Sequence, residues 1–314
     1  MNPISDLTYR GHNGPLDPPR RRWWVIGRVS TMIAIRKRIF WVGTAFASWY
    51  YVVILTIFFF ADSFNRQSDG ISSGQLDLLA RAKWVNEFVH GYSFGQLIFM
   101  LLLLLVGAGS IANDNRANAL LVYLSKPCKP RDYVIGKFAG VFIPMFTAMA
   151  LPSVLFYLNG ALSYRSYGFL NDWFLLPKVL IAVALAAAFS SSIMLALSSI
   201  VKNGRIAGVA YAALYLVPYV VTIALKAAWV AQRGEAPPIL GQLSYCSIDG
   251  VHIALIKSIL NTDGGMAFSL AGNARSFEPI PALPLIPLLL AVFAITGISM
   301  YIFASRVKAV EVIR

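Results

Sequence analysis

The chain has 314 residues, of which 58% are hydrophobic and 13% charged, and its mean hydropathy is +0.65. Soluble domains do not carry several uncharged runs of about 20 residues, the length a helix needs to cross a bilayer core. The formal net charge of +13 is divided among short segments that flank apolar runs, rather than gathered on one face, which argues against nucleic-acid binding.

In chain order, residues 1–19 carry G-H-N-G-P-L-D-P-P and read as a disordered cytoplasmic lead. The sequence stays polar through Arg22, and the first long apolar run comes too late for a cleavable signal peptide. Residues 20–38 set Trp23, Trp24, Val25, Ile26, Val29, Met32 and Ile33 between two arginine clusters at helical spacing. This predicts an amphipathic helix in the membrane interface, with tryptophans at headgroup depth and arginines toward lipid phosphates. Residues 39–314 read as one transmembrane domain.

Six runs are long enough to span: Phe40–Phe60, Phe94–Ala112, Phe138–Tyr157, Pro177–Val201, Ile206–Trp229 and Leu285–Phe303. They are rich in Leu, Val and Ala without alternation, which favours helices over barrel strands. The expected fold is therefore an all-α polytopic membrane protein with six transmembrane helices. Pro144, Pro152 and Pro218 permit bends within the spans. Ser190, Ser191, Ser192, Ser198 and Ser199 lie along the fourth span, either as small residues for close packing or as a weakly polar path. As bounded here, the spans hold no Asp or Glu, which points away from a proton- or sodium-coupled carrier.

Between the spans, Ala61–Ser93 contains W-V-N-E-F-V-H, which fits a short helix, and Ala231–Pro284 is the longest connection. Within the latter, Ser247–Leu260 is apolar on one side but too short to cross, so an external helical region is expected before the sixth span. A seventh span there would require burying Asp249, His252 and Lys257. Eighteen of the 27 Lys and Arg fall in the N-terminal segment, the second-to-third connection, the fourth-to-fifth turn and the C-terminal tail. This bias puts both termini in the cytoplasm of a multi-pass protein of the cell (inner) membrane.

Catalytic chemistry is scarce. Cys128 and Cys246 fall on opposite sides of the membrane, and His12, His90 and His252 are isolated in sequence. Asp62 and Asp172 are candidates by location alone. Gly107–Ser110 (G-A-G-S) reads as small-residue packing, since no histidine in a span can serve Ser110 as a base. Gly136-Lys137 lacks the earlier glycine of a phosphate-binding loop, so no nucleotide hydrolysis, metal site or cofactor is expected of this chain.

The segment 113–137 is polar and basic between two apolar runs. It resembles the loop after the second span in ABC transporter permeases of the type-2 export class. Their pattern runs from an acidic residue through an apolar cluster, a proline and an arginine to a terminal G-K. Asp114, Leu120, Leu121, Leu124, Pro127, Arg131, Gly136 and Lys137 match it, while Asn118 and Ala119 replace the usual Gly-Thr and Pro130 stands where a second arginine is common. The resemblance implies a permease powered by separate ABC ATP-binding subunits, two copies expected, with a second permease subunit as homo- or heterodimer. It implies a cytoplasmic coupling helix between spans two and three. Leu120, Leu121, Tyr123 and Leu124 would anchor it in the ATPase, with Lys126, Lys129 and Arg131 at a polar rim. The alternatives are an intramembrane enzyme or a non-transporting scaffold of a membrane complex.

The cation bias predicts that tags near Gly11 and at Arg314 are cytoplasmic and a label at Gly264 is external. Accessibility labelling that places the termini on opposite sides would replace six spans with an odd number.

Overall fold

A computed structural model describes residues 22–67, 79, 83–117, 129–232, 237–265 and 280–307, with the backbone alone for 64–67. The expected lead at 1–19 lies outside these residues. Among the described residues the regular structure is helical throughout. The helices are α1 (Arg22–Ile35), α2 (Arg38–Ala47), α3 (Trp49–Gln67), α4 (Trp84–Gly107), α5 (Ala112–Arg116), α6 (Pro130–Ser163), α7 (Leu175–Ile200), α8 (Gly204–Ala231), α9 (Pro238–Leu243), α10 (Ile248–Leu260) and α11 (Leu285–Arg306). Helices α4, α6, α7, α8 and α11 are each long and apolar enough to cross a membrane, and α2 and α3 taken together meet the same test as a sixth candidate.

The sixth is bent by 46° between Ala47 and Trp49. Proline is not the cause. Thr44 donates its hydroxyl to the Phe40 carbonyl at 2.9 Å and Ser48 to the Thr44 carbonyl at 2.7 Å. Hydroxyls that bond back to the i−4 carbonyl compete with the helix ladder and bend it.

Two helices begin earlier than the apolar runs suggest. α6 starts at Pro130, whose missing N–H costs nothing at a first helical position, and the Asp132 carboxylate accepts the Lys129 N–H at 3.2 Å. At 34 residues α6 is about 51 Å long, well beyond a hydrocarbon core of about 30 Å. Its first two turns, with Arg131, Gly136 and Lys137, therefore belong to the helix and not to the loop. α4 starts at Trp84, so W-V-N-E-F-V-H is its first two turns rather than a separate helix. This corrects the reading that the spans hold no acid. Glu87 lies on α4, is 3% exposed, and accepts the Tyr50 hydroxyl at 2.6 Å.

α7 is the central element and packs against α4, α6, α8, α10 and α11. At the loop end of the bundle, α1 lies along α6, where small residues let the backbones approach. A Cβ on Gly136 would fall 2.7 Å from the Ile26 Cβ and the Trp23 carbonyl, and one on Gly140 2.4 Å from the Ser30 Cβ. Gly27 in turn sits against the Gly136 carbonyl. On the far side of α1, Trp24, Val25, Val29, Met32 and Ile33 stay exposed.

Gly140→Leu should therefore lift α1 off α6. Overpacking of this kind costs about 1–3 kcal/mol, read as a lower thermal midpoint of the purified protein. Gly297→Ala is the control, because nothing lies within 4 Å of the added methyl group. Equal midpoints for both variants would contradict the packing assignment.

Candidate functional site

The two helices that flank residues 118–128 meet at one buried cluster. Asp114 leads from α5, and Lys137 lies two turns into α6. Lys137 Nζ is 2.7 Å from Asp114 Oδ2 and donates to the Ser110 carbonyl at 2.8 Å. The Tyr133 hydroxyl donates to the same Asp114 oxygen at 2.8 Å, and the Lys137 ammonium lies 5.6 Å from the Tyr133 ring centre. Tyr133 is fully buried, and the side chains of Lys137 and Asp114 are 9% and 19% exposed. An ion pair this sheltered holds only with further hydrogen bonds, and Tyr133 and Ser110 supply them. The result is a clasp that fixes both ends of residues 118–128.

A single hydroxyl repairs the backbone where α4 stops and α5 starts. Ser198 Oγ on α7 accepts the N–H groups of Ile111 and Ala112 at 3.2 and 3.0 Å and donates to the Ala108 carbonyl at 2.9 Å. Asn115 Nδ2 donates to the Ser199 carbonyl at 3.3 Å. The serine row of α7 is thus largely structural at this end. Gly107 and Gly109 are places of close approach, to Met194 and Gly204 respectively, as small-residue packing requires.

Of the residues expected to couple to an ATPase, the structure brings Asp114 and Lys137 together. It sets Gly136 beneath α1 and leaves Arg131 exposed on the first turn of α6. Leu120, Leu121, Tyr123, Leu124 and Pro127 lie outside the described residues, as does Cys128. The sequence reading missed Tyr133 and took Ser110 only as part of a small-residue packing motif. Tyr133 was within reach, because it precedes Lys137 by four residues and shares its face once α6 starts at Pro130.

At the other end, α10 buries the three groups whose burial argued against a seventh span. Asp249 and His252 are 2% exposed and Lys257 8%. The helix has 13 residues, about 20 Å, too short to cross. It packs among α4, α7, α8 and α11 rather than resting at the surface. Each buried group has partners. Asp249 accepts the Ser247 hydroxyl, with Lys226 Nζ 3.7 Å away. His252 is not isolated. Its Nε2 lies 2.7 Å from Ser190 Oγ and its Nδ1 3.1 Å from Gln96 Oε1, which also accepts the Tyr215 hydroxyl at 3.4 Å. A Gln oxygen accepts only, so Nδ1 carries the proton and Nε2 accepts from Ser190. Serine bonded to histidine is the start of a nucleophile–base pair. Here both are buried at 2% exposure, and the third member is a neutral amide that cannot stabilise an imidazolium as a carboxylate would. The trio cross-links α4, α7 and α10.

Lys257 donates to the Tyr245 hydroxyl at 3.3 Å and to the Ile280 carbonyl at 3.1 Å. Burial, reinforced by the nearby Lys226 cation, pushes its ammonium down to about 8. Neither early acidic candidate stands alone. Asp62 accepts the Tyr167 hydroxyl at 2.9 Å, and Asp172 pairs with Lys178 at 2.7 Å.

Helices of spanning length, a bent pair and a clasped polar loop define a polytopic α-helical membrane protein. The family model described as ABC-2 family transporter protein matches residues 28–305, and the chain belongs to that family. It is thus a multi-pass membrane permease subunit of the ABC transporter kind, not itself an ATPase. The comparison with curated proteins found no match.

Removing one partner of the clasp leaves the other charge buried, at a cost of about 3 kcal/mol. Lys137→Met and Asp114→Asn should each lower the thermal midpoint by several degrees. The double variant should lose less than the sum of the two. Additive losses would mean that the pair does not interact.

Proposed function

We propose that this chain forms half of the membrane path of an exporter driven by ATP hydrolysis in a separate cassette subunit. Residues 118–128 act as its coupling segment. The observation that carries this reading is the Asp114–Lys137–Tyr133 clasp. A loop that receives force must pass it on through its ends. Both ends here are tied to each other and, through Ser198, Ser199 and the glycine seam, to α7 and α1.

The remaining assignments follow from family membership and the cation bias. Two permeases and two ATPases assemble about a twofold axis. Both termini, the clasp and the coupling segment face the cytoplasm of a cell (inner) membrane. α1 lies in the inner interface, its exposed Trp24, Val25, Val29, Met32 and Ile33 toward lipid. Leu120, Leu121, Tyr123 and Leu124 enter an apolar groove of the ATPase, and the exposed Arg131 meets its polar rim. Closure of the ATPases on ATP then drives the clasped segment against α6 and α7.

Leu121→Asp and Leu124→Asp test the coupling role. An unpaired carboxylate forced into an apolar interface costs several kcal/mol, about the whole of a modest contact. Each variant should insert normally into the membrane, yet lose ATPase co-purification or ATP-dependent transport by about tenfold or more. Normal ATPase retention with normal transport in both would contradict the assignment.

A further inference from the structure

A cavity of about 650 Å³ opens at the α10 end of the bundle, between α4, α8 and α10. Its volume lies within the range of small-molecule sites, about 300–1,000 Å³. Its walls are mainly apolar, with Val89, Ala227, Val230 and Ile253 among them. Among the described residues, the charged side chains that line it are both cations, Lys226 and Lys257. His90 also lines it, and its Nε2 is buried without a hydrogen-bond partner.

The arrangement of charge is lopsided. Lys257 spends its hydrogen bonds on neutral oxygens of Tyr245 and Ile280. Lys226 has Asp249 at 3.7 Å, beyond hydrogen-bond range. Asp263 also acts on Lys257, and its Oδ1 accepts the Gly265 N–H at 3.0 Å. Neither carboxylate lines the cavity. Among the described residues, an occupant therefore meets two ammonium groups and an imidazole nitrogen, the polar Ser93 and Tyr245, and otherwise mainly hydrocarbon. Two cations held close together in a partly sheltered apolar space, with their carboxylate neighbours outside its walls, favour an anionic occupant.

We propose that this cavity binds a single-chain anionic amphiphile. Its headgroup, a carboxylate or a phosphate monoester, lies between Lys226, Lys257 and His90, and its chain runs along Val89, Ala227, Val230 and Ile253. That the bound molecule is the transported cargo rests on the permease reading; that it binds does not.

The test uses the full chain alone in nanodiscs of zwitterionic lipid, with cis-parinaric acid as fluorescent probe. Competitors are hexadecanoic acid, hexadecyl phosphate, hexadecanol and hexadecyltrimethylammonium. At least one of the two anions should compete about tenfold better than the alcohol, the worth of one charge-assisted contact. The cationic amphiphile should compete least. Whichever anion binds more tightly identifies the headgroup. Lys226→Gln, at a part-exposed position, should weaken the anion about fivefold or more without moving the alcohol. Ala227→Trp should block the probe by filling the cavity. Equal competition by alcohol and anions, or unchanged binding in both variants, would overturn the proposal. ATPase co-purification keeps the two readings apart: lost binding with the ATPase retained removes this site alone, and the reverse removes the permease reading alone.

Discussion

A polar group inside an apolar bundle has to find its partner within the protein, because lipid offers none. In this chain the places where that demand is hardest to meet are the places where the helices are joined. The break between α4 and α5 frees backbone groups at Ala108, Ile111 and Ala112, and the Ser198 hydroxyl serves all three. Lys137 is carried into the bundle by a helix that begins at Pro130, and Asp114, Ser110 and Tyr133 converge on it. Polar satisfaction thus fixes how α5 and α6 meet on either side of residues 118–128. Packing then closes around it. Gly136 and Gly140 bring α1 to within van der Waals contact of α6, directly beside the turn that carries Lys137.

The same demand decides the fate of α10. Three ionisable groups in 13 residues look like an argument for keeping the helix in water. The bundle instead provides a partner from a different helix for two of them: Ser190 of α7 and Gln96 of α4 for His252, and Lys226 of α8 for Asp249. Lys257 is satisfied locally, by Tyr245 and the Ile280 carbonyl. Partnered in this way the helix can be buried without spanning, and it becomes a wedge among α4, α7 and α8.

The six apolar runs were legible because bilayer thickness imposes a length that no other constraint imitates. Their ends were not, for a definite reason. Hydropathy marks where a helix enters lipid, whereas a helix stops where its backbone loses partners. No proline separates Trp84 from Phe94, so α4 begins nearly three turns before its apolar stretch and takes Glu87 with it. Nothing stops α6 between Pro130 and Phe138 either. At the clasp, Asp114 and Lys137 were legible as ends of a loop pattern, but their pairing was not. It depends on Tyr133 and Ser110, which carry no charge to draw attention in a sequence. His252 was illegible altogether, since its two partners lie 62 and 156 residues away.

Helices α4 and α7 reach both the clasp region and the α10 wedge, as do α8 and α11, whose Phe303 packs on Tyr133. α4 carries Gln96 midway along its length and runs into the Ser198-capped break at its C-terminal end. On α7, Ser190 and Ser198 are eight residues apart, about 12 Å along the axis. A rigid helix displaced at one end moves at the other, and the buried polar contacts at both ends give that displacement only discrete alternatives, since each bond is either made or left costly. The cavity lined by His90 and Lys257 lies against this same wedge. Its walls therefore include α4, which also runs into the break beside the Asp114–Lys137 pair, and α10, which packs on α7.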